Sequence, residues 1–171
     1  MSCPAAPFLI VDAASDPVRI DAARSLMIEY RDSIATSLVS QNFDAEMAGL
    51  PGRYSPPTGC ILLAVTPEGG PVGCIALREI DPSPLGRTCE MKRLYVKPSH
   101  RRFGVGKAMC LELIARARSL AYAAMRLDTD SAMTPAVTLY RSLGFQAIAK
   151  YNDDPIPDTL FFELALGRPR P

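Results

Sequence analysis

Residues 96–107 constrain this chain more than any other stretch: Val96-Lys97-Pro98-Ser99-His100-Arg101-Arg102-Phe103-Gly104-Val105-Gly106-Lys107. A hydrophobic strand ends here, the chain turns through basic residues, and two glycines open an amphipathic helix. The first amides of a helix lack intrahelical partners, and the helix dipole adds partial positive charge at the same end. Glycine lets main chain approach a phosphate closely. Arg101, Arg102 and Lys107 add full charges. A pyrophosphate is the natural guest, which points to a nucleotide-bearing cofactor.

Two familiar phosphate loops do not fit. A P-loop needs glycine five residues before Gly106-Lys107 and Ser or Thr after it, but Arg101 and Ala108 stand there. A dinucleotide fingerprint needs a third glycine where Met109 stands, and a turn directly after its strand, but Pro98 to Phe103 intervene.

A third type does fit. Arg101-x-x-Gly104-x-Gly106, preceded by Val96-x-Pro98, resembles the acetyl-CoA loop of the GNAT N-acetyltransferase superfamily. A second motif lies at 134–145. Thr134 suits an N-cap, Pro135 the first helical position, and Gly144 a left-handed stop. This segment is similar to the family's Ala-x-x-Leu-Tyr-x-x-x-Gly-Phe at Ala136, Leu139, Tyr140, Gly144 and Phe145. The resemblance extends over roughly residues 60–166.

The resemblance implies acetyl-CoA as cosubstrate, without a metal, and an N-acetyltransferase that lets an amine attack the thioester directly. The cofactor pyrophosphate would lie on the main chain of Arg102, Phe103, Gly104, Val105, Gly106 and Lys107, beside Arg101. Its pantetheine arm would pair with Leu94, Tyr95 and Val96, and a bulged-strand amide near Leu94 or Tyr95 would meet the carbonyl oxygen. Tyr140 would be the acid that protonates the leaving thiolate, since a phenol holds its proton at neutral pH; the alternative is a core tyrosine. Glu90 would be the base, the alternative being a strand carboxylate paired with Lys92 two residues on. Two positions depart from the family pattern. Met133 stands where an Asn is common, and Arg102 where Gly is common, which is tolerable if its backbone is ordinary.

Composition narrows the partners. The net charge of +1 favours neither nucleic acid nor an acidic membrane. Cysteines at 3, 60, 74, 89 and 110 form no Cys-x-x-Cys pair, and their odd number argues for buried thiols in a reduced, cytoplasmic setting. A single histidine, His100, argues against a zinc site of ordinary spacing. Met1 to Pro7 has no signal-peptide pattern, and no apolar run approaches membrane-spanning length. A homodimer stays open.

The pattern predicts a single domain over 1–171, with a core over about 8–166 and a loose tail at 167–171. Strands are expected at 8–13, 60–66, 71–80, 88–97, 123–129, 145–150 and 159–166. Helices are expected from Pro17, capped by Ser15 or Asp16, around 44–50, from Gly104 to about Leu120, and at 135–142. That order predicts an α/β fold: a mixed, mostly antiparallel central sheet flanked by helices. In the fold the resemblance implies, the fourth and fifth strands splay apart at one end.

The acceptor is expected to be a small-molecule primary amine. Lining candidates are Tyr30, Arg31, Phe43, Glu46, Arg53, Tyr54, Tyr151, Asn152 and Asp153. Arginines suit a carboxylate and acidic residues an amine, so together they hint at an amino-acid-like molecule. Other readings are a protein or peptide amine, a non-catalytic CoA-binding module, and a nucleic-acid binder using the basic loop.

Overall fold

The structure, a computed structural model, describes residues 8–34, 38 and 41–167. The expected loose tail beyond Gly167, the first seven residues and Cys3 lie outside these. The strands are β1 (Leu9–Asp12), β2 (Cys60–Val65), β3 (Pro71–Ser83), β4 (Gly86–Val96), β5 (Ala124–Asp130), β6 (Gln146–Ala147) and β7 (Thr159–Ala165). The helices are α1 (Pro17–Ser33), α2 (Phe43–Ala48), α3 (Val105–Ser119) and α4 (Thr134–Ser142). The strands form one sheet in the order β1-β2-β3-β4-β5-β7-β6, antiparallel throughout except for β4 against β5. This is the mixed, mostly antiparallel α/β sheet the sequence predicts.

The sheet is buried on both faces, which is why β2 reads Cys-Ile-Leu-Leu-Ala-Val without a polar residue. Cys60, Leu62 and Ala64 pack with Met109, Leu113 and Ile114 of α3. Ile61 and Leu63 pack with Leu26 and Met27 of α1 and with Phe43 and Met47 of α2. Asp16 caps α1 by accepting from the amides of Val18 and Arg19, at 2.9 and 3.3 Å.

Three boundaries differ from expectation. The β3–β4 hairpin runs on to Ser83 and Gly86, where the Ser83 amide donates to Thr88 Oγ1 at 2.9 Å. Helix α4 is capped by Met133 and not Thr134. Pro135 has no N–H, so the first helical donors are Ala136 and Val137, and both bond the Met133 carbonyl, at 3.0 and 3.1 Å. The strand expected at 145–150 shrinks to Gln146–Ala147, because after Ile148 the chain leaves the sheet and docks over its α1 face.

Candidate active site

Strands β4 and β5 pair only at Thr88–Ala124, Cys89–Met125 and Glu90–Arg126. Both then continue, to Val96 and Asp130, without pairing each other. The gap exposes two strand edges, the kind of surface on which an extended amide-bearing chain adds hydrogen bonds. Leu94, Tyr95 and Val96 lie on the β4 edge of it.

The basic loop leads from this edge into α3. Its first intrahelical bond runs from the Ala108 amide to the Gly104 carbonyl at 3.0 Å, so the amides of Val105, Gly106 and Lys107 have none within the helix. The two glycines differ in kind. Gly104 has φ +78, a conformation side chains resist. Gly106 is helical, and a Cβ there would meet only Val96 Cγ2 at 3.8 Å and Leu139 Cδ2 at 3.9 Å, ordinary contacts. The fold does not require glycine at 106, and its absent side chain leaves the amides there open to approach. Arg102 corrects an expectation: its φ is +69, left-handed and not ordinary, at the position where the family pattern has Gly. Arg101 is partly committed, donating to the Val96 carbonyl at 3.0 Å with its guanidinium 5.9 Å from the Tyr95 ring. Phe103 is 62% exposed beside these cations.

Strand β4 carries a bulge within the gap. Cys74 faces Tyr95 and Ala76 faces Lys92, so Ile75 opposes both Arg93 and Leu94, and Arg93 has φ +61. The extra residue inverts side-chain alternation. Cys89 and Met91 pack into the α3 core before it, and Leu94 and Val96 after it. Glu90, Lys92, Arg93 and Tyr95 turn to the α1 side. The main chain near Leu94, where the oxyanion donor is expected, is the part this bulge re-aims.

The α1 face of the gap holds a buried network of charge. The carboxylate of Glu90 (2% exposed) is bound by Arg78, with Nη2 at 2.7 Å and Nε at 2.8 Å, and by the Tyr151 hydroxyl at 2.8 Å. Glu90 is therefore not the partner of Lys92, as strand spacing suggested. Lys92 reaches across the gap to Asp128 Oδ1 at 3.1 Å, and Asn152 Nδ2 donates to Asp128 Oδ2 at 3.0 Å. Burial disfavours the Asp128 anion, but the charge and hydrogen bond of Lys92, with the bond from Asn152, outweigh that and hold its carboxyl below the usual 3.8. Arg93 binds both oxygens of Glu46, at 2.9 and 3.0 Å, and Gln41 Oε1 at 2.9 Å. Gln41 Nε2 in turn donates to Asp154 at 2.7 Å, tying the segment after β6 to the bulge.

Tyr140 stands in α4, buried, with its ring edge-on to Phe145 at 5.9 Å. No hydrogen bond to its hydroxyl occurs among the described residues, yet no fully enclosed side-chain oxygen there lacks a partner. The hydroxyl is therefore not completely enclosed, although the residue is buried. Burial raises its pKa well above the usual phenol value, with the Cys110, Tyr30 and Asp128 charges acting in the same direction, so it keeps its proton.

Several acceptor candidates serve the framework. Glu46 and Tyr54 bond each other at 2.9 Å, Phe43 underlies the Arg93 guanidinium at 5.1 Å, and Arg31 pairs with Asp32 and Asp44. Tyr151, Asn152, Asp153 and Arg53 line a cleft of about 1020 Å³ that also reaches Arg78, Glu90 and Arg126. A smaller cleft of about 360 Å³ lies between α2 and Arg78. Neither includes Tyr140 or the basic loop. Arg78, Asp128 and Gln41 belong to the site without having been expected there. Their only signal in the sequence is polarity, and it is diluted by neighbours: β3 also carries Glu79 and Asp81, and β5 also carries Arg126 and Asp130. Among the described residues no three of His, Cys, Asp and Glu gather as metal ligands.

The family model for the Acetyltransferase (GNAT) family matches residues 24–145. An uncharacterized N-acetyltransferase of Schizosaccharomyces pombe is 35% identical over 160 residues, 92% of this chain and 95% of that one. An N-acetylaspartate synthetase of Danio rerio is 26% identical, over 93% of this chain and 53% of its own length. Among solved structures, a putative acyl-CoA N-acyltransferase from Klebsiella pneumoniae has 29% identity and a TM-score of 0.68, covering 95% of this chain and 99% of that chain.

Proposed function

We propose that this chain, which belongs to the GNAT acetyltransferase family, passes the acetyl group of acetyl-CoA to the primary amine of a small, amino-acid-like molecule, with Glu90 as base and Tyr140 as acid. Acetyl transfer from acetyl-CoA to an amine is the reaction of that family; the acceptor and the residue roles are our reading. The observation that carries it is Gly106, a glycine with room for a side chain at the open end of α3, beside two unpaired strand edges.

In this reading the amides from Arg102 to Lys107, with Arg101, hold the pyrophosphate. The pantetheine arm pairs along Leu94, Tyr95 and Val96, and the thioester reaches the bulge. An amide there meets the carbonyl oxygen as negative charge develops on it. The neutral amine attacks, the C–N bond forms and the C–S bond breaks. Tyr140 gives its proton to the thiolate and regains one from the attacking nitrogen. The acidic groups facing the cleft suit an ammonium. Among the described residues Arg53 and Lys150 bond only main-chain oxygens, of Glu79 at 3.1 Å and Asp154 at 2.6 Å, which leaves their charge for a carboxylate. The N-acetylaspartate synthetase among the relatives is named for such an acceptor. No helix of the described residues is long and apolar enough to cross a membrane. The buried thiols of Cys60, Cys74, Cys89 and Cys110 suit a reducing cytoplasm.

Calorimetry with CoA and a turnover panel test the reading. The panel is acetyl-CoA with L-aspartate, L-methionine, spermidine, kanamycin and a tetrapeptide, followed as free thiol. The expected result is CoA binding with an amino acid as the fastest acceptor. Absence of CoA binding refutes the cofactor site. Binding without turnover of any amine makes the chain a CoA-binding module, and fastest turnover of the peptide makes the acceptor a protein amine.

A further inference from the structure

Glu90 is an awkward base as it stands. Oε2 is taken by two donors of Arg78 and Oε1 by Tyr151, and the residue is 2% exposed. A proton reaching it must pass through a group already bonded to it. Arg78 cannot serve, because a guanidinium only donates. A phenol both donates and accepts. We infer that the Tyr151 hydroxyl meets the acceptor amine and relays its proton to Glu90, a proposal that rests on Glu90 being the base.

The surroundings hold Tyr151 for this role. Its half-buried side chain lines the 1020 Å³ cleft together with Glu90, Arg78 and Arg126. Phe161 meets its ring edge-on at 5.5 Å, and the Arg126 guanidinium lies 5.1 Å from the ring centre. Arg126 and Asp128, the charges next to the pair, are already matched, while Arg53 and Lys150 on the same cleft bond only main-chain oxygens among the described residues. Arg126 bonds Glu163 at 2.7 Å, and Lys92 and Asn152 hold Asp128. Burial, with the Glu90 and Asp128 charges, pushes the Tyr151 phenol far above its usual value, so no free tyrosinate forms. The transfer is concerted: the ammonium N–H goes to Tyr151 Oη while the Oη–H goes to Glu90 Oε1. Glu90 ends protonated, Tyr151 ends unchanged, and the amine is neutral. The nitrogen's second proton leaves after attack and balances the one Tyr140 gives to the thiolate. Glu90 returns its proton to water through Tyr151.

The test uses Tyr151→Phe, Glu90→Gln and the double variant with acetyl-CoA and two acceptors at pH 7. One is the panel amine that wild type turns over fastest, which is an ammonium ion at that pH. The other is hydroxylamine, which is already neutral. On the ammonium acceptor both single variants are expected to lose about 10²-fold in kcat/KM. Both stay within a few-fold of wild type on hydroxylamine, and the double variant is no slower than either. The deficit shrinks as pH rises toward the amine's own pKa. CoA affinity by calorimetry stays unchanged. If Tyr151→Phe loses both acceptors together, Tyr151 is only structural and the relay is wrong. If it keeps full rate while Glu90→Gln is slow, the relay is wrong and Glu90 remains the base. If Glu90→Gln keeps full rate, the base assignment fails and takes the relay with it.

Discussion

Replacing Arg93 with Met cuts the guanidinium from the bulge of β4 while keeping an unbranched stem of similar reach. The residue is 6% exposed, and its donors satisfy both oxygens of Glu46 and the amide oxygen of Gln41. The Arg93→Met variant would leave the half-buried Glu46 carboxylate hydrogen-bonded only to the Tyr54 hydroxyl. Removing one partner of such a buried pair costs about 3–5 kcal/mol, because the other charge stays desolvated. In a domain of this size each kcal/mol moves the melting temperature by about 2–4 °C, so the expected fall is about 6–20 °C. Urea unfolding at pH 7, followed by circular dichroism, measures the free-energy loss, and thermal unfolding the fall in melting temperature. Adding Glu46→Gln removes the stranded charge yet still accepts from Tyr54, so the double variant should regain about half the loss. A single-variant loss below about 1 kcal/mol would mean that water reaches Glu46 freely, and a double variant weaker than the single would mean that the charge was not the cost.

Gly106→Ala should stabilise the fold by about 0.5–1 kcal/mol through helix propensity, while calorimetry shows CoA affinity falling at least about tenfold; unchanged affinity would remove the loop from the cofactor site. Tyr140→Phe should lower kcat by about 10²-fold with unchanged CoA affinity and melting temperature, and full turnover with chemistry rate-limiting would dismiss it as the acid. Glu46 and Asp128 both have carboxyls held below their usual values, 4.5 and 3.8. At Glu46 burial favours the neutral acid, but the hydrogen bonds and charge of Arg93 outweigh it. Their contribution is complete above those usual values and is lost as pH falls through the lower folded ones. The urea midpoint should therefore drop steadily below pH 4.5, and less steeply in Arg93→Met; a midpoint that rises toward about pH 3 contradicts this.

Backbone-driven features were legible in the sequence. The glycine-rich turn into α3, the apolar run of β2, and the Gly144 stop (φ +93) each depend on a local rule that residue type states directly. Side-chain partnership was not. Glu90 and Lys92 share a strand face, but which cation or carboxylate each meets depends on β3 and β5, brought alongside by pairing across 12 and 36 residues of sequence. The bulge also left no sign. Left-handed backbone at Arg93 and Arg102 falls on residues that ordinarily avoid it, so propensity argued against the very geometry the strand and loop adopt. The early end of β6 follows from tertiary docking of Tyr151 and Asn152, which no local pattern encodes.

The doubled position opposite Ile75 has a consequence for how this chain can vary. A strand alternates between two compartments like odd and even pages, and the extra residue renumbers everything after it. Flattening the bulge without shortening the strand would drive the Tyr95 phenol into the oily layer under α3 and turn Leu94 and Val96 toward the carboxylates, whereas deleting Arg93 would flatten it and leave all three on their present sides. Exchange of side chains along β4 changes one contact at a time, whereas adding or losing a residue away from the bulge mis-sorts everything beyond it.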